Sequence, residues 1–219
     1  MTYINRHLLL SYKIFLIPLL LQFFFQTAKG QKINQDYILN IVKTTEEIIL
    51  DGQLNEKVWE IADVADNFSM ILPHDDRSAT QASEVRMTYD NKNIYISVIF
   101  FNNTIRGDYV VESYKRDFSF GKNDNFLVAI DPFNNMNTGF AFGLNAYGAQ
   151  WDGTMYNGRS VDLNWDTKWY SQVSFDDEKW IAEMAIPLKS IRYKYNLNHW
   201  GISFSRLDLK ASEKSGWTP

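Results

Sequence analysis

Residues Asp124 to Gly153 read DNFLVAIDPFNNMNTGFAFGLNAYGAQWDG, and the fold turns on how this run is parsed. Phe126 to Ile130 and Phe140 to Asn145 each alternate large apolar side chains with smaller or polar ones, the period of a strand with one buried face. Between them Asn134, Asn135 and Asn137 tolerate the left-handed backbone of a tight turn. Gly148 and Gly153 then punctuate a third segment. Two strands side by side with a third after them predict an all-β domain.

Working outward, the same signal recurs. Glu84 to Asp90 alternates, Asn91-Lys92-Asn93 turns, and Ile94 to Phe100 returns, which reads as a β-hairpin with one face buried. Trp169 to Phe175, Trp180 to Ile186 and Trp200 to Leu207 follow, each bounded by Gly, Asn, Asp or Pro. Glu46 to Leu50 is a further strand candidate and Asp51-Gly52 a turn. Leu54, Val58, Trp59 and Ile61 have the spacing of one short amphipathic helix, with Asn55 or Asp51 as its cap. Many short strands and so little helix predict an antiparallel β-sandwich, jelly-roll-like, with one short N-terminal helix. On this reading residues 46–209 are the sandwich, 31–45 a linker or N-terminal strand, and 210–219 a polar, truncated tail.

Residues 1–30 carry Arg6, His7 and Lys13, then an apolar run from Ile14 to Phe25, then Ala28-Lys29-Gly30. That order predicts a signal peptide cleaved before Gln31, and hence a secreted protein of the periplasm, outer membrane or exterior. The apolar run is shorter than the roughly 20 residues that span a bilayer. Of 22 basic residues, the loss of Arg6, Lys13 and Lys29 leaves 19 against 26 acidic ones, a net charge of −7. Such a chain lacks the basic stripe that nucleic acid requires. With no cysteine there are no disulfides, thiolate nucleophiles or thiolate metal sites, so stability rests on the core.

Leu50-Asp51-Gly52-Gln53-Leu54-Asn55-Glu56-Lys57-Val58-Trp59, Val85 to Tyr95, Asp131-Pro132-Phe133 with Thr138-Gly139-Phe140, and Trp180 to Pro187 together resemble the carbohydrate-binding module family 9 type of domain. The resemblance implies a β-sandwich that binds polysaccharide or oligosaccharide without catalysis, through paired aromatics, with calcium supporting the loops. More specifically, the chain resembles the module that precedes an outer-membrane β-barrel of unknown function, with Asn145-Ala146-Tyr147-Gly148 at a similar turn; the barrel is absent from this chain. A docking module with no sugar site and a xylanase-type glycosyl hydrolase subunit are the alternatives, the second tied to carbohydrate catabolism only by family association.

Sugar binding needs flat aromatic faces and planar polar groups. Trp151 and Trp165 stand among Gln150, Asp152, Asn164 and Asp166, in sequence that reads as loop, and Trp169 opens a strand. These three are the expected stacking platforms, held out in water. Tyr114, Arg116 and Asp117 lie in a segment that the resemblance places close to the ligand cleft and are the expected polar partners, the arginine fork being able to clamp adjacent hydroxyls. Trp59, Trp180 and Trp200 read as core, and Glu183, alternating with Met184, reads as facing solvent. Asp131, Asn134 and Asn137 form an oxygen-dense loop that is the candidate Ca2+ site, although an Asn-rich turn accounts for it without a metal. His74 and His199 have neither an activated serine beside them nor metal-ligand spacing.

Overall fold

In the computed structural model, residues 37–102, 109–175 and 178–218 are described. The expected signal peptide lies outside them, as do residues 31–36. The described chain forms two sheets. The first contains β1 (Val42–Lys43), β2 (Val64–Ala65), β4 (Ser83–Tyr89), β5 (Asn93–Phe101), β10 (Tyr170–Phe175) and β11 (Lys179–Pro187), ordered β1-β4-β5-β11-β10 with β2 also paired to β4. The second runs β3-β13-β12-β6-β7-β8-β9, where β3 is Ser69–Leu72, β6 Asn125–Asp131, β7 Gly139–Asn145, β8 Gln150–Tyr156, β9 Ser160–Asp162, β12 Gly201–Asp208 and β13 Glu213–Gly216. Every pairing is antiparallel except β1 with β4. The all-β antiparallel sandwich is as the alternation predicts, and β6, β7 and β8 are the three strands of the opening stretch.

The core lies between the sheets because side chains two apart share a face. Val85, Ile96, Val98, Phe100, Ala182, Met184 and Ile186 come from the first sheet, and Phe126, Val128, Ile130, Phe142, Leu144 and Phe204 from the second, all buried. Phe100 meets Phe126 edge-on across the interface, ring centroids 5.7 Å apart. Arg206, inward on β12, is buried under the Phe100 ring and donates to the carbonyls of Ala82 and Phe101. Its charge is thereby satisfied at one edge of the core.

The segment expected to be a polar tail is structural. β13 lies between β3 and β12, and Trp217 packs its ring on Phe204 at 5.6 Å. The polar letters of Lys210 to Lys214 concealed it, because Glu213 and Ser215 point to buried positions that are hydrogen-bonded or small. Glu213 accepts from the Thr80 N–H at 3.1 Å and from its hydroxyl at 2.6 Å.

The helix, α1 (Lys57–Ile61), is preceded by Glu56, and neither Asn55 nor Asp51 caps it. Instead the Glu56 carboxylate accepts the Ile49 N–H at 2.9 Å and the Trp59 indole N–H at 3.1 Å. Ile48, Val58 and Trp59 then cover Tyr95 and Ala185 on the outer face of the first sheet. Glu46 to Leu50 makes no strand; Ile48 and Leu50 pack in this cover while Ile49 is exposed. Glu183 also lies on that outer face, but beneath the cover and with no exposed surface, contrary to the expectation of solvent. It accepts the backbone N–H of Asp51 at 3.0 Å and of Gly52 at 2.8 Å. Two of the motifs that carry the family resemblance, Leu50 to Trp59 and Trp180 to Pro187, therefore meet at one carboxylate.

Candidate functional site

β8 inverts the usual alternation. Leu144 pairs with Gln150 and Phe142 with Asp152, so Gln150 and Asp152 turn toward the space between the sheets, while Trp151 pairs with Gly143 and turns outward. Gly143 lacks a side chain, which lets Phe120 close on Trp151 from the same face, their ring centroids 5.1 Å apart. Trp151 is thus a strand residue beneath Phe118 and Phe120, only 7% exposed, and not a loop platform.

The inward polar pair of β8 meets Arg116. The guanidinium donates to Gln150 Oε1 at 2.8 Å, to Asp166 Oδ1 at 2.6 Å, to the Thr167 carbonyl at 2.9 Å and to Asp152 Oδ1. Asp152 is buried, and its other oxygen accepts the Thr167 N–H at 3.0 Å. Burial raises its carboxyl pKa, opposed by the Thr167 N–H and by the charge of Arg116. Gln150 extends on to the Ser171 hydroxyl at 2.9 Å. These contacts fix the arginine fork from four sides, the preorganisation that a binding group needs.

Arg116, Gln150, Asp166, Thr167, Lys168 and Trp169 line an open concavity of about 440 Å³. Two buried donors there, Arg116 Nε and Trp169 Nε1, have no hydrogen-bond partner. The indole N–H lies toward Asp152 without meeting hydrogen-bond geometry. Both atoms lie beneath the surface of the cavity, and the indole N–H, aimed at Asp152, helps to hold that carboxyl's pKa down against its burial.

The three expected tryptophan platforms are not held in water. Trp169 is 3% exposed and edge-on to Phe142 at 5.5 Å; Trp165 is half-buried, 5.1 Å from Phe140. The loop from 163 to 169 reads as polar, yet these two indoles fold back to close the open side of the core. Exposed rings are supplied instead by tyrosine and phenylalanine. Tyr114 is 73% exposed and touches Tyr147 at 5.4 Å, which touches the exposed Phe175 at 5.1 Å. Tyr170 is exposed on β10 beneath the Lys168 ammonium, 5.3 Å from the ring centroid. Of the expected polar partners, Arg116 is central. Asp117 is exposed, with its φ at 58° and its backbone N–H donated to the Gln150 carbonyl, so it shapes the loop. Gln150, Asp152, Asp166, Thr167 and Lys168 were legible only as neighbours of the tryptophans; the signal available was the reversed alternation of β8.

The residues of the candidate Ca2+ loop do not fit that ion. Asp131 Oδ1 accepts the Phe133 N–H at 2.9 Å, and Oδ2 accepts those of Asn135 and Met136, each at 2.7 Å. Asn134 adopts φ of 52° and directs its side-chain amide to His199 at 2.8 Å. A single carboxylate whose oxygens already receive three amides falls far short of the charged oxygen set calcium takes.

Comparison with known proteins accords with this architecture. Residues 49–218 match the family described as carbohydrate family 9 binding domain-like. No curated protein matches the chain. A family 9 carbohydrate-binding module from Caldicellulosiruptor kristjanssonii in complex with cellotriose is 12% identical, with a TM-score of 0.55 over 81% of this chain and 83% of that one. A family 9 module of that organism in complex with glucose gives 12% identity and a TM-score of 0.54, over 81% and 84%. A Bacteroides uniformis protein named only as a candidate carbohydrate-binding protein is 10% identical, with a TM-score of 0.59 over 82% and 88%. At these identities the likeness is one of fold. The family match spans both motifs that join at Glu183 and the whole sandwich between them: the chain belongs to the carbohydrate family 9 binding domain-like family.

Proposed function

We propose that this domain binds a saccharide non-catalytically in the concavity around Arg116. The observation that supports the reading is the set of N–H donors of the Arg116 guanidinium, fixed by Gln150, Asp152, Asp166 and Thr167 yet partly exposed at an open concavity. A sugar presents adjacent hydroxyls that accept such donors, and Gln150 and Asp166 supply acceptors for the hydroxyl protons beside them. Lys168 lines the opening with Tyr170 under its ammonium, and Tyr114, two residues from Arg116, offers an exposed ring, in place of a tryptophan sandwich, so stacking is weaker here and hydrogen bonding selects the ligand. The similar modules bound to cellotriose and glucose support a neutral hexose or its short chains as the first ligands to try. Residues 1–30, basic then apolar, support placing this activity outside the cytoplasm, where polysaccharide is met.

Isothermal titration with glucose, cellotriose and xylan oligomers tests the proposal. Arg116→Ala is expected to weaken the best ligand by roughly ten- to a hundredfold, the worth of hydrogen bonds from a charged donor. Because that change also strands Asp152, Tyr114→Ala serves beside it; an exposed ring leaves the fold intact and is expected to cost roughly three- to tenfold. No heat with any of these sugars, for wild-type protein whose circular dichroism shows it folded, sinks the reading.

A further inference from the structure

Between β11 and β12, residues Leu188 to Trp200 carry Lys189, Arg192 and Lys194 and no acidic residue, within a chain of 26 acidic and 22 basic side chains. All three cations are exposed, and among the described residues none has an ion-pair partner. Acids flank both ends of the loop, Asp131 opposite Gly201 and Asp90 in the turn that meets Leu188, and each carboxylate is held by the amides of its own turn. Interleaved with these cations in sequence is an aromatic ladder. Trp200 packs on the core, Tyr193 lies 5.5 Å from it, and Tyr195 stacks on Tyr193 at 5.7 Å with an angle of 30° between the rings. Tyr195 is 90% exposed, yet it is backed by that ladder, and the Lys194 N–H donated to the Pro132 carbonyl at 3.3 Å fixes its strand of loop.

A neutral sugar would make use of the ring alone and leave three exposed cations within six residues of loop without a counter-charge. A nucleic acid would offset the charges but needs several free faces for successive bases, whereas here Tyr193 is covered by its neighbours and only Tyr195 presents an open face. A pyranose ring bearing an anionic group uses both elements, its C–H face on Tyr195 and its charge among Lys189, Arg192 and Lys194. We infer that this loop is a second saccharide surface, specific for acidic polysaccharide, separate from the Arg116 concavity and standing whether or not that concavity binds sugar.

Polygalacturonate and dextran sulfate, which carry the charge as carboxylate and as sulfate ester, are the probes, titrated into the full chain at several salt concentrations. Binding to one or both is expected, weakening as salt screens the contacts. Changing Lys189, Arg192 and Lys194 together to Gln is expected to lose at least roughly tenfold in affinity and most of the salt dependence, and Tyr195→Ala roughly three- to tenfold. Arg116→Ala is expected to leave polyanion binding unchanged, and the triple variant to leave any cellotriose binding unchanged, so failure at one surface is told from failure at the other. These positions are exposed, and an unaltered melting temperature checks that the variants fold. Binding of neither polyanion, equal binding by the triple variant, loss through Arg116→Ala, or tighter capture of short single-stranded DNA each overturns the inference.

Discussion

Replacing Phe142 by alanine is expected to destabilise the domain by about 3–5 kcal/mol, the largest loss from any single truncation argued here. Phe142 has no exposed surface, sits midway along β7, and is met edge-on by Trp165 at 6.1 Å and by Trp169 at 5.5 Å. Removing its ring leaves a cavity walled by two indoles and by the cross-strand neighbours Val128 and Asp152, which the sheet holds in place and keeps from collapsing inward. Phe142→Leu, which keeps most of the volume, is expected to cost under about 1.5 kcal/mol. Urea unfolding followed by circular dichroism measures both. The consequence reaches the concavity, because Trp169, whose ring Phe142 seats, forms part of its lining. Any sugar affinity should fall in Phe142→Ala even where the protein remains folded. A stability loss under about 1 kcal/mol would mean that the indoles are seated by something else.

The sandwich was legible wherever one face of a strand is apolar and the other polar. Phe126-Val128-Ile130, the hairpin closed by Asn91 to Asn93, and Trp180-Ala182-Met184 follow the alternation, and each forms the strand expected. Legibility failed where a second layer covers the outer face. Glu183 reads as solvent-facing on β11, and its strand partners agree, but the segment from Ile48 to Ile61 folds over it, a tertiary contact with no periodicity of its own. It failed again at Trp151, where Gln150 and Asp152 take the inward positions because Arg116 from a distant loop meets them. β13 was concealed because its buried side chains are Glu213 and Ser215. Arg116 was found from the resemblance, its partners were not, and the tryptophans were drawn into the core by Phe140 and Phe142. In each case a polar residue was placed by a partner remote in sequence, which a local pattern cannot carry.

Between about pH 5 and pH 8 the wild-type domain is expected to lose roughly 3 kcal/mol of stability that Glu183→Gln does not lose. Burial, opposed by the N–H groups of Gly52 and Asp51 and assisted by the charges of Glu56 and Asp51, pushes the Glu183 carboxyl from its ordinary 4.5 up to about 7. Its Oε1 has no partner, and neither does the hydroxyl of Ser97, its cross-strand neighbour on β5. The folded state therefore holds a proton that the unfolded chain releases near pH 4.5, so the favourable contribution is fully present below that pH and is lost as pH rises through about 7. Glutamine keeps an oxygen for the two turn amides and has nothing to titrate, so its difference from wild type isolates this group from Asp124 and Asp152, whose burial also raises them. Glu183→Ala is the harsher change: it orphans both amides of the Asp51-Gly52 turn, where φ at Gly52 is 82°, and should cost about 1–3 kcal/mol at every pH while loosening α1 from the sheet. Urea midpoints at the two pH values, compared across the three proteins, read the linkage directly. Parallel pH dependence in wild type and Glu183→Gln would show that the carboxylate already ionises in the folded state at low pH, and that the meeting of the two motifs is sealed by charge instead of by a proton.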